Sequence, residues 1–166
     1  MLRLYKSRKS FISEFSKIEK NLHKILGDLC EIEHVGSTAV VGVDGKGIID
    51  ILIGFKNKKQ INDAIKILLK NGYFAGRNST GRSDRAFLAS TEDDTTIGDI
   101  HLHVVLKNSK DFTDFIKVRD FLRQNPEEAK RYSELKYKIA EETSYDREVY
   151  KKEKSQFVEA IIKAEN

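Results

Sequence analysis

The sequence predicts an α+β fold: a mixed β-sheet with flanking helices and a helical C-terminal part over residues 109–166. Three observations predict it. Apolar residues recur at helical spacing near the start of the chain. Apolar runs of strand length, bounded by glycine, then alternate with one further helical stretch. Beyond Leu106 the pattern is helical with only short breaks. The 166 residues are read as one domain, long enough to bury a core. Apolar residues make up 39% and charged residues 34%, which fits a charged surface around an ordinary core and not a disordered chain.

Each element follows from its pattern. From about Ser10 to Asp28, Phe11, Phe15, Ile18, Leu22, Ile25, Leu26 and Leu29 recur at three- and four-residue spacing, one face of an amphipathic helix. Leu29 to Val35 reads as a strand, and Ile48 to Phe55 as a second, more deeply buried one. Asn57 to Asn71 returns to helical period through Ile61, Ile65, Leu68 and Leu69, with Gly72 as its stop. Tyr73 to Ala75 is a short strand, followed by the polar loop "GRNSTGRSD". Arg85 to Ser90 and Asp99 to Leu106 are two strands of a hairpin joined by "TEDDTTIG". Lys110 to Gln124 is a helix with Phe112, Phe115, Ile116 and Leu122 on one face. Asn125 caps the next helix and Pro126 sits in its first turn, where proline is tolerated. Helices over Glu127 to Glu142 and Arg147 to Ala164 complete the chain.

Composition excludes several function classes. No apolar run approaches the length of a membrane span, and "MLRLYKSRKSFISEF" lacks the apolar centre of a signal peptide. The single cysteine, Cys30, rules out an intramolecular disulfide, fits a reducing cytoplasm, and reads as a buried inert thiol at a strand start. The net charge is +4, with no clustered basic stripe, so nucleic acid is not the expected partner.

The chemistry concentrates in two stretches. In "EIEHVGSTAVVGVDGKGIIDILIGF" a strand runs into Gly36-Ser37-Thr38, where glycine allows close approach and the hydroxyls of Ser37 and Thr38 can grip a phosphate. Lys46 lies in the glycine-spaced loop that follows. Asp50 then interrupts an aliphatic strand on the face of Ile48 and Leu52, opposite Ile49, Ile51 and Ile53. A carboxylate among aliphatics costs several kcal/mol unless a cation, a donor or water meets it. In "GDIHLHVVL", Asp99, His101 and His103 project from one face of one strand. Such a set can hold a divalent metal, and imidazole suits zinc or manganese better than magnesium; the histidines can equally donate to phosphate or act as acid and base. Arg85 at a strand start is the better of three arginine candidates for a phosphate or carboxylate, ahead of Arg77 and Arg82 in the polar loop. Of Glu33 and His34, which face opposite sides of their strand, one faces the site. Tyr150 and Lys154 in the last helix are within reach of it or face solvent.

The motifs "IEHVGSTAV", "KGIIDILIG", "HLHVV", "RDFLRQNPEEAKRYSELK" and "YKKEKSQFVEAI" resemble the GrpB family, over roughly Ile32 to Ile161. That family is placed in the nucleotidyltransferase superfamily, with a polymerase-beta-like fold. The resemblance implies a nucleotidyltransferase-like mixed sheet whose Gly36-Ser37 pair holds nucleotide phosphates. In active superfamily members two strand carboxylates and a third on another strand bind Mg²⁺, and the metal polarises the transferred phosphate. Asp50 matches the first carboxylate. The chain departs from the pattern at Leu52, in the second carboxylate position, and at Asp99-x-His101-x-His103 in place of a plain acidic strand. Val41 and Gly47 stand where the family has prolines, which loosens the loop. Leu52 removes a ligand and about one negative charge from a two-metal clamp, so weaker Mg²⁺ binding is expected.

Two functions fit these residues. One is a nucleotidyltransferase that moves a nucleotide onto a small-molecule acceptor, with Asp50, His101 and His103 as catalytic residues. Asp50 and His103 would hold a divalent metal, Mg²⁺ or Mn²⁺ ahead of Zn²⁺; Gly36, Ser37, Thr38, Lys46 and Arg85 would bind a nucleoside triphosphate. The alternative is a non-catalytic module for a nucleotide or phosphorylated ligand. A helical docking protein with a vestigial site is disfavoured by the retained polar residues.

Overall fold

A computed structural model of the chain describes residues 3–76, 84–92, 98–144 and 146–164. The first amphipathic segment forms helix α1 (Ser10–Leu26), ended by Gly27 in a positive-φ conformation. Strand β1 (Glu31–Val35) starts two residues later than predicted, because Leu29 is exposed before the chain enters the sheet. A single tight helical turn over Ser37–Ala39 leads to strand β2 (Ile49–Phe55). Helix α2 (Lys58–Lys70) is capped by the Asn57 side chain, which accepts from the Gln60 amide, and Gly72 follows it at positive φ. Strands β3 (Phe74–Ala75), β4 (Arg85–Ala89) and β5 (Ile100–Leu106) complete the sheet. Helices α3 (Lys110–Gln124), α4 (Pro126–Glu142) and α5 (Arg147–Ala164) form the C-terminal part. Asn125 precedes α4 as expected, but its amide donates to Phe121 O of the preceding helix and does not cap α4.

The strands lie in the order β1-β2-β5-β4-β3, and the sheet is mixed: β2 and β5 are parallel, the other neighbours antiparallel. Ile49, Ile51 and Ile53 point to one face, where Leu102, Val104 and Leu88 join Phe11 and Leu22 of α1 and Ile61 and Leu68 of α2. The other face carries Val35, Leu52 and Val105 under Phe112, Phe115 and Ile116 of α3. The result is a three-layer arrangement with the sheet in the middle. The predicted single apolar face of α3 is split: Leu122, with Val118 and Phe121, turns away to a separate cluster with Val40, Val43, Tyr132 and Ile161. That cluster joins the β1–β2 loop to all three C-terminal helices.

The β1–β2 loop, expected to be loosened by Val41 and Gly47, is tied at several points. Gly45 pairs with Tyr5 through backbone hydrogen bonds in both directions. The Asp44 carboxylate accepts from Lys6 Nζ at 2.9 Å and from the Ser7 amide at 2.8 Å, and the Asp44 amide donates to Ser133 Oγ on α4 at 2.9 Å. Among the described residues no helix is long and apolar enough to cross a membrane.

Candidate functional site

Parallel pairing of β2 with β5 sets Asp50 beside His101 and Leu52 beside His103. Period-two alternation puts all four on the sheet face that α3 covers. His103 Nε2 lies 3.1 Å and His101 Nδ1 3.5 Å from the same oxygen, Asp50 Oδ1. A carboxylate accepts only, so His103 donates to it. Burial alone would raise the Asp50 carboxyl, but the hydrogen bonds from His101 and His103 outweigh it and hold the group well below the ordinary carboxylate range. The imidazoles are fixed by rings. Phe87 meets His101 edge-on at 4.9 Å and His103 at 5.4 Å, and Phe115 of α3 packs 4.6 Å from His103.

The other oxygen of Asp50 faces the turn. A Cβ added at Gly36 would stand 2.5 Å from Asp50 Oδ2, and Gly36 itself has φ 72° and ψ −168°. Only glycine satisfies both the backbone conformation and the close approach. The turn is then held from several sides. Thr38 Oγ1 donates to Ile48 O at 3.1 Å, so its 3.0 Å contact with His34 Nε2 is one in which the imidazole donates. Thr38 is buried, and its hydroxyl is engaged inside the fold; Ser37 is half-buried beside exposed Gly36. From α3, Arg119 Nη1 donates to His34 O at 3.2 Å and Arg123 Nε donates to Ala39 O at 3.0 Å, one on each side of the turn.

Sequence reasoning missed the residue behind the turn. Lys136 on α4 is 1% exposed, and its Nζ donates to Ser37 Oγ at 2.9 Å and to Asp44 O, with the Tyr132 ring 4.5 Å away. Burial, with repulsion from Lys154, lowers its pKa to about 7 against the pull of Asp44 and Asp50. The signal was present in "YSELKYKIA": Lys136 stands four residues after Tyr132 and four before Ala140, on the buried stripe of its helix. Lys154 on α5 is half-buried, and burial lowers its pKa against the attraction of Asp50. Tyr150 is buried with Ile139 and Ala140, and burial raises its hydroxyl above the ordinary range.

Other candidates lie elsewhere. Arg85 pairs in register with Val105, about 13 Å along β5 from His101, and its guanidinium meets Asp111 of α3 at 3.4 Å, so it is not brought to Asp50. Glu33, not His34, shares the sheet face of Asp50, but its carboxylate accepts from Arg119; His34 stacks on Phe15 of α1 at 4.6 Å. The Asp99 carboxylate accepts from Thr91 Oγ1 at 2.9 Å. Lys46 is half-buried in the β1–β2 loop. Arg77 and Arg82 lie outside the described residues. Cys30 is half-buried, and burial raises its pKa. An open cavity of about 510 Å³ lies at the other end of β2 and β5, lined by Phe55, Lys56, Leu106, Lys107, Asn108 and Ser109, and shares no residue with this site.

The donor set does not fit the expected Mg²⁺ or Mn²⁺. Hard cations take several oxygen ligands. Here Asp50 Oδ1 already accepts from imidazole, Leu52 supplies nothing, and two buried or half-buried lysines stand near the carboxylate. Among the described residues no three His, Cys, Asp or Glu side chains converge as a metal-holding group.

Comparison with known proteins gives a consistent family. A family model described as GrpB protein matches residues 1–164. The glutamate-rich protein GrpB of Alkalihalophilus pseudofirmus is 32% identical over 150 residues, covering 89% of this chain and 86% of that one. The crystal structure of the conserved protein GrpB from Enterococcus faecalis superposes with a TM-score of 0.77 at 23% identity, over 95% of this chain and 98% of the other. The Cid1 poly(U) polymerase with MgGTP bound shares the fold, with a TM-score of 0.56 at 12% identity, over 82% of this chain and 44% of that one.

Proposed function

This chain belongs to the GrpB family, and from that membership and the geometry around Ser37 we propose that it binds the phosphate groups of a nucleotide or phosphorylated small molecule at the Gly36–Ser37 turn beside Asp50. One observation carries the reading: a serine hydroxyl stands at a glycine turn with a buried ammonium 2.9 Å behind it. That combination sets a cation behind the turn, offsetting the Asp50 carboxylate that faces it. In this reading Gly36 allows close approach, Ser37 contacts the phosphate, Thr38 holds the turn, and Lys46 adds charge from the loop. Asp50, kept ionised by His101 and His103, accepts a hydroxyl or amine elsewhere on the ligand.

The likeness of fold to the Cid1 polymerase favours nucleotidyl transfer as the second reading. The donor set around Asp50 does not fit a metal-borne step in that reading. Thermal shift with a panel of nucleoside triphosphates, alone and with Mg²⁺, Mn²⁺ or Zn²⁺, tests the first reading. Binding raises the melting temperature by mass action, and Ser37→Ala should reduce that rise. A panel with no stabilised member overturns the proposal. Mass spectrometry of small-molecule extracts incubated with the protein and a stabilising nucleotide separates the readings: a nucleotidylated product establishes transfer.

A further inference from the structure

Resting on the phosphate-binding reading above, we propose that Lys136 is the positioning residue that makes the Gly36–Ser37 turn an anion receptor, and that the turn binds phosphate without a divalent metal. A serine hydroxyl has one proton and two lone pairs. The ammonium of Lys136 approaches Ser37 Oγ at 2.9 Å from the protein side and occupies a lone pair. The serine proton is thereby directed away from the lysine. Beside the protonated lysine such a hydroxyl is a polarised donor, suited to an anionic oxygen.

Lys136 acts through the serine, not by touching the ligand. It is 1% exposed, and its three N–H directions are taken by Ser37 Oγ, Asp44 O and the face of Tyr132. Both hydrogen-bond acceptors are neutral oxygens, so its charge is not cancelled by an ion pair of its own. The carboxylate of Asp44, whose main-chain oxygen Lys136 binds, is instead engaged by Lys6 and the Ser7 amide. Lys154 brings a second cation close enough to repel Lys136 and attract Asp50. The same region thus carries its positive charge on side chains.

A purely structural role is the competing account, and the two predict opposite results. Removing an ammonium that only ties α4 to the loop leaves Asp44 O and Ser37 Oγ without their donor, so a purely structural role predicts a lower unfolding midpoint in urea and unchanged affinity of the folded protein. In the receptor role Lys136→Met should weaken binding at least tenfold at conditions where the variant is folded. The probes are inorganic tripolyphosphate and ATP, titrated calorimetrically in excess EDTA and again in excess Mg²⁺. Wild type should bind in EDTA. Because the lysine acts through the hydroxyl, Lys136→Met in a Ser37→Ala background should cost less than a further twofold. Lys136→Arg, which keeps the charge, should retain more affinity than Lys136→Met. Binding that appears only with Mg²⁺ overturns this inference and leaves phosphate binding standing, whereas no binding in either condition overturns both. Equal affinity of Lys136→Met and wild type in EDTA, or full additivity in the double variant, also overturns it.

Discussion

Burial of His34 lowers its pKa to about 4 against the attraction of Asp50, and Arg123 and Arg119 add to the fall. The neutral ring donates to Thr38 and stacks on Phe15, so protonation in the fold is resisted. Between pH 6.5 and 4 the unfolded chain binds this proton and the folded chain does not, so stability rises with pH through that window and is lost on acidification. The difference corresponds to about 3 kcal/mol at pH 4 relative to neutral pH. Urea unfolding at a series of pH values should show wild type losing this amount relative to His34→Gln, which does not titrate; parallel curves would contradict the assignment. Asp50 has the opposite sign. Its depressed pKa contributes stability above the ordinary carboxylate value and loses it only below, so the two residues act in separate windows.

The clamp that α3 places on the turn belongs to the scale of the element. Arg119 donates to Glu33, Asp120 and His34 O, and thereby couples α3 to β1 on the strand that feeds Gly36. Arg119→Ala should cost about 3 kcal/mol in urea unfolding, because it strands a half-buried carboxylate and a carbonyl together. Arg119→Lys should recover less than half of that loss, since an ammonium lacks the planar fork that reaches all three acceptors. At this scale the sequence was informative about period and poor about partners. Every helix and strand was legible, because apolar spacing is written locally: Ile49, Ile51 and Ile53 had to share a face whatever surrounded them. The pairing of Asp50 with the histidine strand was half legible, since alternation fixed the faces but not the register that sets Asp50 beside His101. Lys136, Arg119 and Arg123 were not picked out, because their meaning comes from contacts more than 80 residues away in the chain. Arg85 was misplaced for the same reason: a strand start says nothing about which end of the neighbouring strand it meets.

Across the whole molecule, the cluster of Val40, Val43, Leu122, Tyr132 and Ile161 makes the sheet and the C-terminal helices one packing unit. Unfolding should therefore be a single transition, with far-ultraviolet dichroism and the tyrosine signal coincident. Val43→Ala, at a position 2% exposed, should lower that one transition by about 2 kcal/mol. Two resolved transitions would show that the helices fold independently of the sheet. The contact between Lys136 and Ser37 has a consequence in time. The two residues are 99 positions apart. At a synthesis rate of about 5–20 residues per second, the ribosome extends the chain for about 5–20 s after Ser37 is added before Lys136 joins it. A growing polypeptide thus presents the glycine turn long before its ammonium arrives, and under the proposed receptor role would capture no anionic ligand until α4 has emerged and docked.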